Sequence, residues 1–245
     1  MTATASSSPK LRVDTRGTNE LPPHLDENLL TPRFYVTEFK KAAKTELTDA
    51  REEFEAMLSE MKADYNCTHF DRKASLDRLQ ELPQKAKETY ESYLVRSVIS
   101  EFSGFLLFKE ISNRLKKEGN RDLGKLFQFL ARDEARHAGF LSRALVAEGI
   151  EVDLPHLGGK RAATWFPISW VIYSVYLSEK IGYWRYILMD RHLKANPDQA
   201  FAPLFDFFEP WCQDENRHGD CFTVMMRCWP GITKGFRGKL LSRFF

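Results

Sequence analysis

The sequence predicts an all-α fold in which four long helices form two short-linked pairs, joined by one longer connection and flanked by shorter helices. Three observations predict it. Breakers punctuate the chain at intervals far longer than a strand, apolar residues recur between them at helical spacing, and no segment shows convincing period-two alternation. At 245 residues the chain is long enough for one substantial core. Its 43% hydrophobic and 29% charged residues are the proportions of a globular domain.

The elements follow from the breakers. Residues 1–27 open the chain, and the stretch Met1 to Asn19, rich in Ser, Thr and Ala without apolar periodicity, reads as a disordered lead-in. The domain proper is expected over residues 28–245. A first helix is predicted from about Thr48 to Tyr65, in the acidic run containing Asp49, Glu52, Glu53 and Glu55. Pro83 opens a long helix to about Lys117, which Gly119-Asn120 closes. The next runs from Arg121 to Glu148 and stops at Gly149. A link containing Pro155, Gly158 and Gly159 leads to a third long helix, from about Pro167 to Ala195. Asn196-Pro197 then turns the chain into a fourth, which ends before Pro230-Gly231.

Composition excludes several classes. The net charge of +2 gives no domain-wide reason to expect nucleic acid, and no phosphate-cradling glycine loop is present. Cys67, Cys212, Cys221 and Cys228 lack the spacing of a disulfide scaffold or zinc ribbon, which together with the absence of a secretory signal points to a reducing, intracellular setting. The longest apolar stretch, Ala162 to Leu177, contains Pro167 and falls short of the roughly 20 residues that span a bilayer. The basic and apolar residues from Lys234 to Phe245 (Phe236, Arg237, Lys239, Leu240, Leu241, Arg243 and Phe244 among them) are expected to form a terminal helix packed on the bundle. The alternative is peripheral contact with an anionic membrane.

One five-residue frame occurs twice, as Asp133-Glu134-Ala135-Arg136-His137 and Asp214-Glu215-Asn216-Arg217-His218. Each holds Glu-x-x-His, and residues three apart on a helix share a face, so carboxylate and imidazole can reach one metal ion. A single copy would be weak evidence, but two copies are not. Glu101 lies 33 residues before Glu134 and Glu179 lies 36 before Glu215, so each half of the chain supplies one further glutamate in the same order. All six residues fall on apolar stripes: Leu94, Val98, Glu101, Phe105, Phe108; then Phe127, Leu130, Glu134, His137, Leu141; then Ile172, Tyr176, Glu179, Tyr183; and Phe208, Trp211, Glu215, His218, Phe222, Met225. A buried, unpaired carboxylate costs several kcal/mol or loses its charge.

Two ferrous ions would balance four carboxylates. Oxygen-rich ligation with one imidazole per ion suits iron or manganese better than zinc. This is the ligand pattern of a ferritin-like four-helix bundle with one crossover connection. The competing reading is a core of salt-bridged Glu and Arg with no metal. Asp133 and Asp214 can each accept the free N–H of a ligand histidine, crosswise: Asp133 with His218 and Asp214 with His137. Within one motif Asp and His sit four apart and cannot easily face both each other and a metal. Arg136 and Arg217 are candidates to keep those aspartates ionised.

Paired D-E-x-R-H motifs resemble the di-iron carboxylate family of ribonucleotide reductase small subunits, bacterial monooxygenases and fatty-acyl desaturases. The runs Ser100 to Leu107, Asp133 to Leu141, Tyr176 to Tyr186, Arg191 to Pro197, Trp211 to Asp220 and Asn28 to Tyr35 resemble the aerobic magnesium-protoporphyrin IX monomethyl ester oxidative cyclases. The likeness covers the chain from about residue 28 onward. It implies oxidation of the methylpropionate arm at C13 of the porphyrin in three dioxygen-dependent steps, through hydroxyl and ketone stages, to divinylprotochlorophyllide. It implies Glu101, Glu134, His137, Glu179, Glu215 and His218 as ligands of two iron ions, Glu134 and Glu215 bridging and Glu101 and Glu179 terminal. Members of that family continue beyond the position of Phe245, so the chain looks C-terminally shortened.

Each oxygenation needs dioxygen and two outside electrons. With no nucleotide-binding glycine motif on the chain, NADPH-derived electrons are expected through a separate reductase or ferredoxin. The resemblance also leaves room for an accessory cyclase subunit, and for a place in the cytoplasm or at the periphery of a photosynthetic membrane. A porphyrin needs an apolar slot, for which Trp165, Phe166, Trp170, Tyr173, Tyr183, Trp184 and Tyr186 are the abundant aromatics, most of them expected in the core. Another di-iron hydroxylase or desaturase, an iron-storage or ferroxidase bundle, and a non-catalytic helical interaction protein are the alternative functions.

Overall fold

A computed structural model describes residues 11–13, 33–46, 50–70, 82–159, 162–228, 230–233 and 235–244. In chain order the elements are β1 (Leu11–Val13), β2 (Arg33–Val36), α1 (Phe39–Ala42), α2 (Arg51–Ala63), α3 (Gln84–Lys117), α4 (Arg121–Ala147), β3 (Ile150–Val152), α5 (Leu154–Gly159), β4 (Ala162–Trp165), α6 (Ile168–Ala195), α7 (Phe208–Cys228), α8 (Pro230–Thr233) and α9 (Gly235–Phe244). Two short 3-10 turns, Pro197–Gln199 and Pro203–Phe207, lead from α6 into α7. Apart from Leu11–Val13, the lead-in lies outside the described residues, as do Asn28 to Pro32, Lys234 and Phe245.

The four long helices begin and end where the breakers put them. Pro83 and Pro167 stand just before α3 and α6. Gly119 (φ 98°) and Gly149 (φ 80°) take the left-handed conformation that ends α3 and α4. Asn120 caps α4 by accepting a hydrogen bond from Leu123 N at 3.1 Å, and its amide donates to Ala43 O at 3.1 Å, which ties α1 to the start of α4.

Among the described residues two features depart from the expectations. Four short strands are present: β1 pairs in parallel with β3, and β2 with β4 in the register Arg33 to Ala162 through Val36 to Trp165. They fasten the segment before the bundle to the crossover link between α4 and α6. Segments of three or four residues are too short to display alternation, and their partners lie more than a hundred residues away. The second departure is α9, expected on the bundle. It touches the core through Leu241, and Phe244 stacks on Trp170 at 5.6 Å, while Phe236 (83%) and Leu240 (60%) stay exposed. No helix among the described residues is long and apolar enough to cross a membrane. All four cysteines are free, three of them buried.

The packing positions the site. α3 lies along α4 and α6 along α7, while α4 and α7 touch across the hairpins. The buried apolar residues fall into two clusters. One holds Phe108, Leu126, Phe127, Ile172 and Phe222. The other holds Leu94, Val98, Leu141, Tyr186, Phe208 and Trp211. Each of the four helices passes from one cluster to the other, and at every crossing stands a buried glutamate: Glu101, Glu134, Glu179 or Glu215. A polar layer divides the core.

Leu126 is fully buried, whereas Leu188 on α6 is 57% exposed. Leu126→Ala is expected to lower unfolding free energy by about 2–5 kcal/mol, and Leu188→Ala to change it by less than about 0.5 kcal/mol, as read from denaturant melts of the two variants.

Candidate metal centre

The six candidate ligands converge. Glu101, Glu134, His137 and Glu215 form one group and Glu134, Glu179, Glu215 and His218 a second; within each, ligand atoms from all four residues lie within 4.8 Å of one another. Glu134 and Glu215 belong to both groups. Glu101 and Glu179 each belong to one. Both histidines are fully buried.

Each imidazole turns one nitrogen inward and the other outward. His137 Nδ1 lies 3.3 Å from Glu101 Oε2 and 3.5 Å from Glu215 Oε1, and His218 Nδ1 lies 3.1 Å from both Glu179 Oε2 and Glu134 Oε1. On the other side, His137 Nε2 is 3.1 Å from Asp214 Oδ2 and His218 Nε2 is 3.5 Å from Asp133 Oδ2. The aspartate–histidine pairing crosses between the helix hairpins and so ties them together.

Arginines stand behind the aspartates. Arg132 Nε donates to Asp133 at 2.8 Å, and Arg136 sits 3.5 Å from Asp133 while gripping both oxygens of Asp64 at 2.8 Å. Asp64 ends α2 in the left-handed conformation, at φ 53°. Arg217 pairs with Asp214 and lies 3.8 Å from Glu60, and Asn66 donates to Asp214 at 2.9 Å. Both predicted arginines therefore meet the predicted aspartates. Arg132, Asp64 and Asn66 were not legible in the sequence: Asp64 and Asn66 come from the turn after α2, which carries no metal-ligand motif.

Further donors reach the carboxylates. The Tyr186 hydroxyl donates to Glu101 Oε1 at 3.0 Å and itself accepts from Arg185 Nη2 at 2.6 Å. Trp211 Nε1 donates to Glu215 Oε1 at 3.1 Å, and its ring lies 4.6 Å from that of His137. Two glycines make room. A Cβ on Gly104 would stand 2.5 Å from Glu134 Oε2, and one on Gly182 would be similarly close to Glu215 Oε2. Gly104 lies three residues after Glu101 and Gly182 three after Glu179, so Glu-x-x-Gly on α3 and α6 faces Glu-x-x-His on α4 and α7.

Electrostatics follow from burial and neighbours. Burial, then the charges of Glu101 and Glu179, raises Glu134 well above the usual carboxyl range and brings Glu215 up to about 8. Burial also opposes charge on Glu101, but His137 and Arg185 outweigh it and hold that carboxyl low. The same contest leaves Asp133 and Asp214 low, through His218 and Arg132 for the first and His137, His218 and Arg217 for the second. Burial disfavours the charged imidazoles as well. Asp214 and Glu101 nevertheless hold His137 well above its usual value, and Asp133, Glu134 and Glu179 do so for His218.

The donor set fits a pair of hard or borderline divalent cations: each group offers three carboxylates and one imidazole, and the glycines leave the carboxylates uncrowded. A cavity of about 700 Å3 opens onto the layer between α3 and α6. Glu101, Glu134, Glu179 and Glu215 line its floor, and Ser100, Ser103, Gly104, Ser174, Ser178 and Gly182 much of its wall. None of the seven aromatics considered for a substrate slot lines it. Tyr173 and Tyr186 are buried in the core, and Trp165 and Trp184 face outward.

Residues 92–226 match the rubrerythrin family. Over all 245 residues the chain is 75% identical to a magnesium-protoporphyrin IX monomethyl ester (oxidative) cyclase of Prochlorococcus marinus (strain MIT 9313), spanning 70% of that protein. It is 53% identical over 220 residues to cyclase 2 of the same name from Thermosynechococcus vestitus, covering 89% of this chain and 62% of the relative. Cyclase 2 of a Synechocystis strain is 54% identical over 223 residues, 89% of this chain and 61% of the relative. No solved structure matches. The family match and the buried carboxylate–imidazole cluster together point to iron binding. By its helical core the chain belongs to the rubrerythrin family, and by its likeness along its whole length it belongs to the magnesium-protoporphyrin IX monomethyl ester oxidative cyclases.

Proposed function

We propose that this chain is a di-iron oxygenase that closes the fifth ring of a magnesium porphyrin, converting magnesium-protoporphyrin IX monomethyl ester to divinylprotochlorophyllide. The observation that carries the reading is the pair of carboxylate–imidazole groups sharing Glu134 and Glu215 at the floor of a 700 Å3 cavity. Its relatives' printed name supplies the substrate. Glu101, Glu134, His137 and Glu215 would hold one iron, and Glu134, Glu179, Glu215 and His218 the other. When bound, the two irons supply the reduction of dioxygen that drives oxidation of an unactivated C–H bond.

The chain's own residues position and insulate. Asp214 accepts the outward N–H of His137 and Asp133 faces that of His218, which leaves both Nδ1 atoms for metal. Tyr186 and Trp211 fix one oxygen each of Glu101 and Glu215. The two apolar clusters exclude water from above and below the layer. Each oxygenation also takes two electrons and two protons from outside, so a reductase or ferredoxin fed by NADPH is part of the proposal.

The direct test supplies the iron-loaded chain with the magnesium porphyrin ester, dioxygen and a reducing system, and follows the absorbance of protochlorophyllide. Product is expected with a separate reductase and not with NADPH alone. An iron-loaded chain that consumes no porphyrin under any electron donor contradicts the proposal.

Metal and protons compete for the same side chains. Four groups are held toward the protonated state, Glu134, Glu215, His137 and His218, so two divalent ions are expected to displace up to about four protons. Ferrous affinity should therefore rise with pH through the window from the ordinary carboxyl value of 4.5 to about 8, where Glu215 titrates. Stability of the metal-free chain should move the other way. In that window folded Glu215 keeps a proton that the unfolded chain has lost, so unfolding becomes easier as pH rises. Calorimetric titrations in buffers of different ionisation enthalpy count the protons, and melts across pH read the second slope.

Gly104→Ala and Gly182→Ala should weaken iron binding by about tenfold or more while helical content is retained, because the added methyl displaces a shared carboxylate and alanine favours helix over glycine. Metal analysis and circular dichroism on the same samples check both halves of that expectation.

A further inference from the structure

Arg185 stands on α6 one turn beyond Gly182, and it lines the same cavity. Its Nη2 donates to Tyr186 and approaches Glu101 Oε1 at 3.8 Å, its guanidinium lies over the Tyr186 ring at 4.5 Å, and Tyr93 is on its other flank at 5.8 Å. Its Nε is buried and has no hydrogen-bond partner. That N–H faces the protein, so the Nη edge of the partly exposed guanidinium is the part open to a ligand in the cavity.

Charge points the same way. Asp133 and Asp214 are already matched by Arg132, Arg136 and Arg217. Once the four glutamates face two divalent ions, Glu101 no longer answers Arg185. A single positive charge then remains at the cavity wall, a few ångströms from the metal layer, on a side chain that is 34% exposed. Guanidinium is the side chain best shaped to receive a carboxylate.

We propose that Arg185 binds the free carboxylate of the substrate and so selects a porphyrin carrying one ester and one acid. The inference rests on the porphyrin reading above and deepens it. In protoporphyrin IX the two propionate arms leave neighbouring pyrroles along one edge of the macrocycle, so the monomethyl ester has one acid arm beside its esterified one. Holding the acid arm at Arg185, next to Glu101, brings the esterified arm over the layer where it is to be oxidised. The cavity lies within the range of about 300–1,000 Å3 usual for small-molecule sites. Arg185 is thus a specificity-determining and positioning residue.

The experiment titrates the iron-loaded chain, under nitrogen so that no turnover occurs, with magnesium-protoporphyrin IX monomethyl ester and separately with the dimethyl ester, following the porphyrin absorbance. The wild-type chain should bind the monoester about 10–100-fold more tightly, the range of a charge-assisted hydrogen bond. Arg185→Met should abolish that preference and leave dimethyl ester binding unchanged, and Arg185→Lys should restore part of it. Equal wild-type affinity for the two esters overturns the role of Arg185 while the porphyrin reading stands. Loss of both esters to the same degree in Arg185→Met also overturns it, since that marks a structural effect. If neither ester binds the wild-type chain, the porphyrin reading itself falls, and this inference with it.

Discussion

Four carboxylates buried in one layer of an apolar bundle are the constraint to which the rest of this structure answers. Left ionised and alone, they would repel one another in a medium that screens poorly. Without metal, the chain resolves the conflict with protons. Burial shifts Glu134 and Glu215 toward the protonated state, and acidic neighbours shift the imidazoles of His137 and His218 toward the charged one. Four protons on these groups would carry the same charge as two divalent ions, so exchange of one for the other would leave the layer's net charge unaltered. The aspartates behind the histidines repeat the problem a step further out and are answered by Arg132, Arg136 and Arg217, whose side chains are only partly buried.

The two hairpins answer the constraint alike at the ligands and differently around them. Glu101-x-x-Gly104 with Asp133 to His137 is matched by Glu179-x-x-Gly182 with Asp214 to His218. Counted from the ligands, however, Trp211 corresponds to Leu130, Tyr186 to Phe108 and Arg185 to Leu107. Beyond the paired motifs, the three donors that α6 and α7 bring to the layer have apolar counterparts on α3 and α4. Glu101 consequently receives a tyrosine hydroxyl and lies near a guanidinium, whereas the positions matching those donors offer Glu179 none. The two groups that could each hold a metal ion are chemically distinct although their motifs are nearly identical.

What the sequence made legible follows the range over which its signals act. Helix ends at Pro83, Gly119, Gly149 and Pro167, and the six convergent residues, rest on local spacing and on the improbability of acids in an apolar stripe. The crossed aspartate–histidine pairing followed from the four-residue interval within each motif. The strands, Asp64 and Asn66 depend on contacts across 70 or more residues, which leave no local pattern, and Arg132, the neighbour of Asp133, lies outside the repeated motif. Trp211 was visible only as a member of an apolar stripe and Tyr186 only among the abundant aromatics, because a tyrosine hydroxyl or indole N–H that bonds a carboxylate has the same sequence signature as one that packs. The sequence placed no substrate slot, and the aromatics of α6 divide between its core face and its exposed face, not the wall it shares with α3.

That wall exists because the same small residues serve two needs. Gly104 and Gly182 must lack side chains so that Glu134 and Glu215 can occupy the layer, and with Ser100, Ser103, Ser174 and Ser178 they leave the space between α3 and α6 unfilled. The tight contacts lie within the hairpins, α3 with α4 and α6 with α7, where large apolar residues interlock. A side chain that filled the cavity from Gly104 or Gly182 would press on the shared carboxylates before it excluded a ligand. Room for the metal ligands and access to them are therefore a single property of the backbone approach, and neither can be varied without the other.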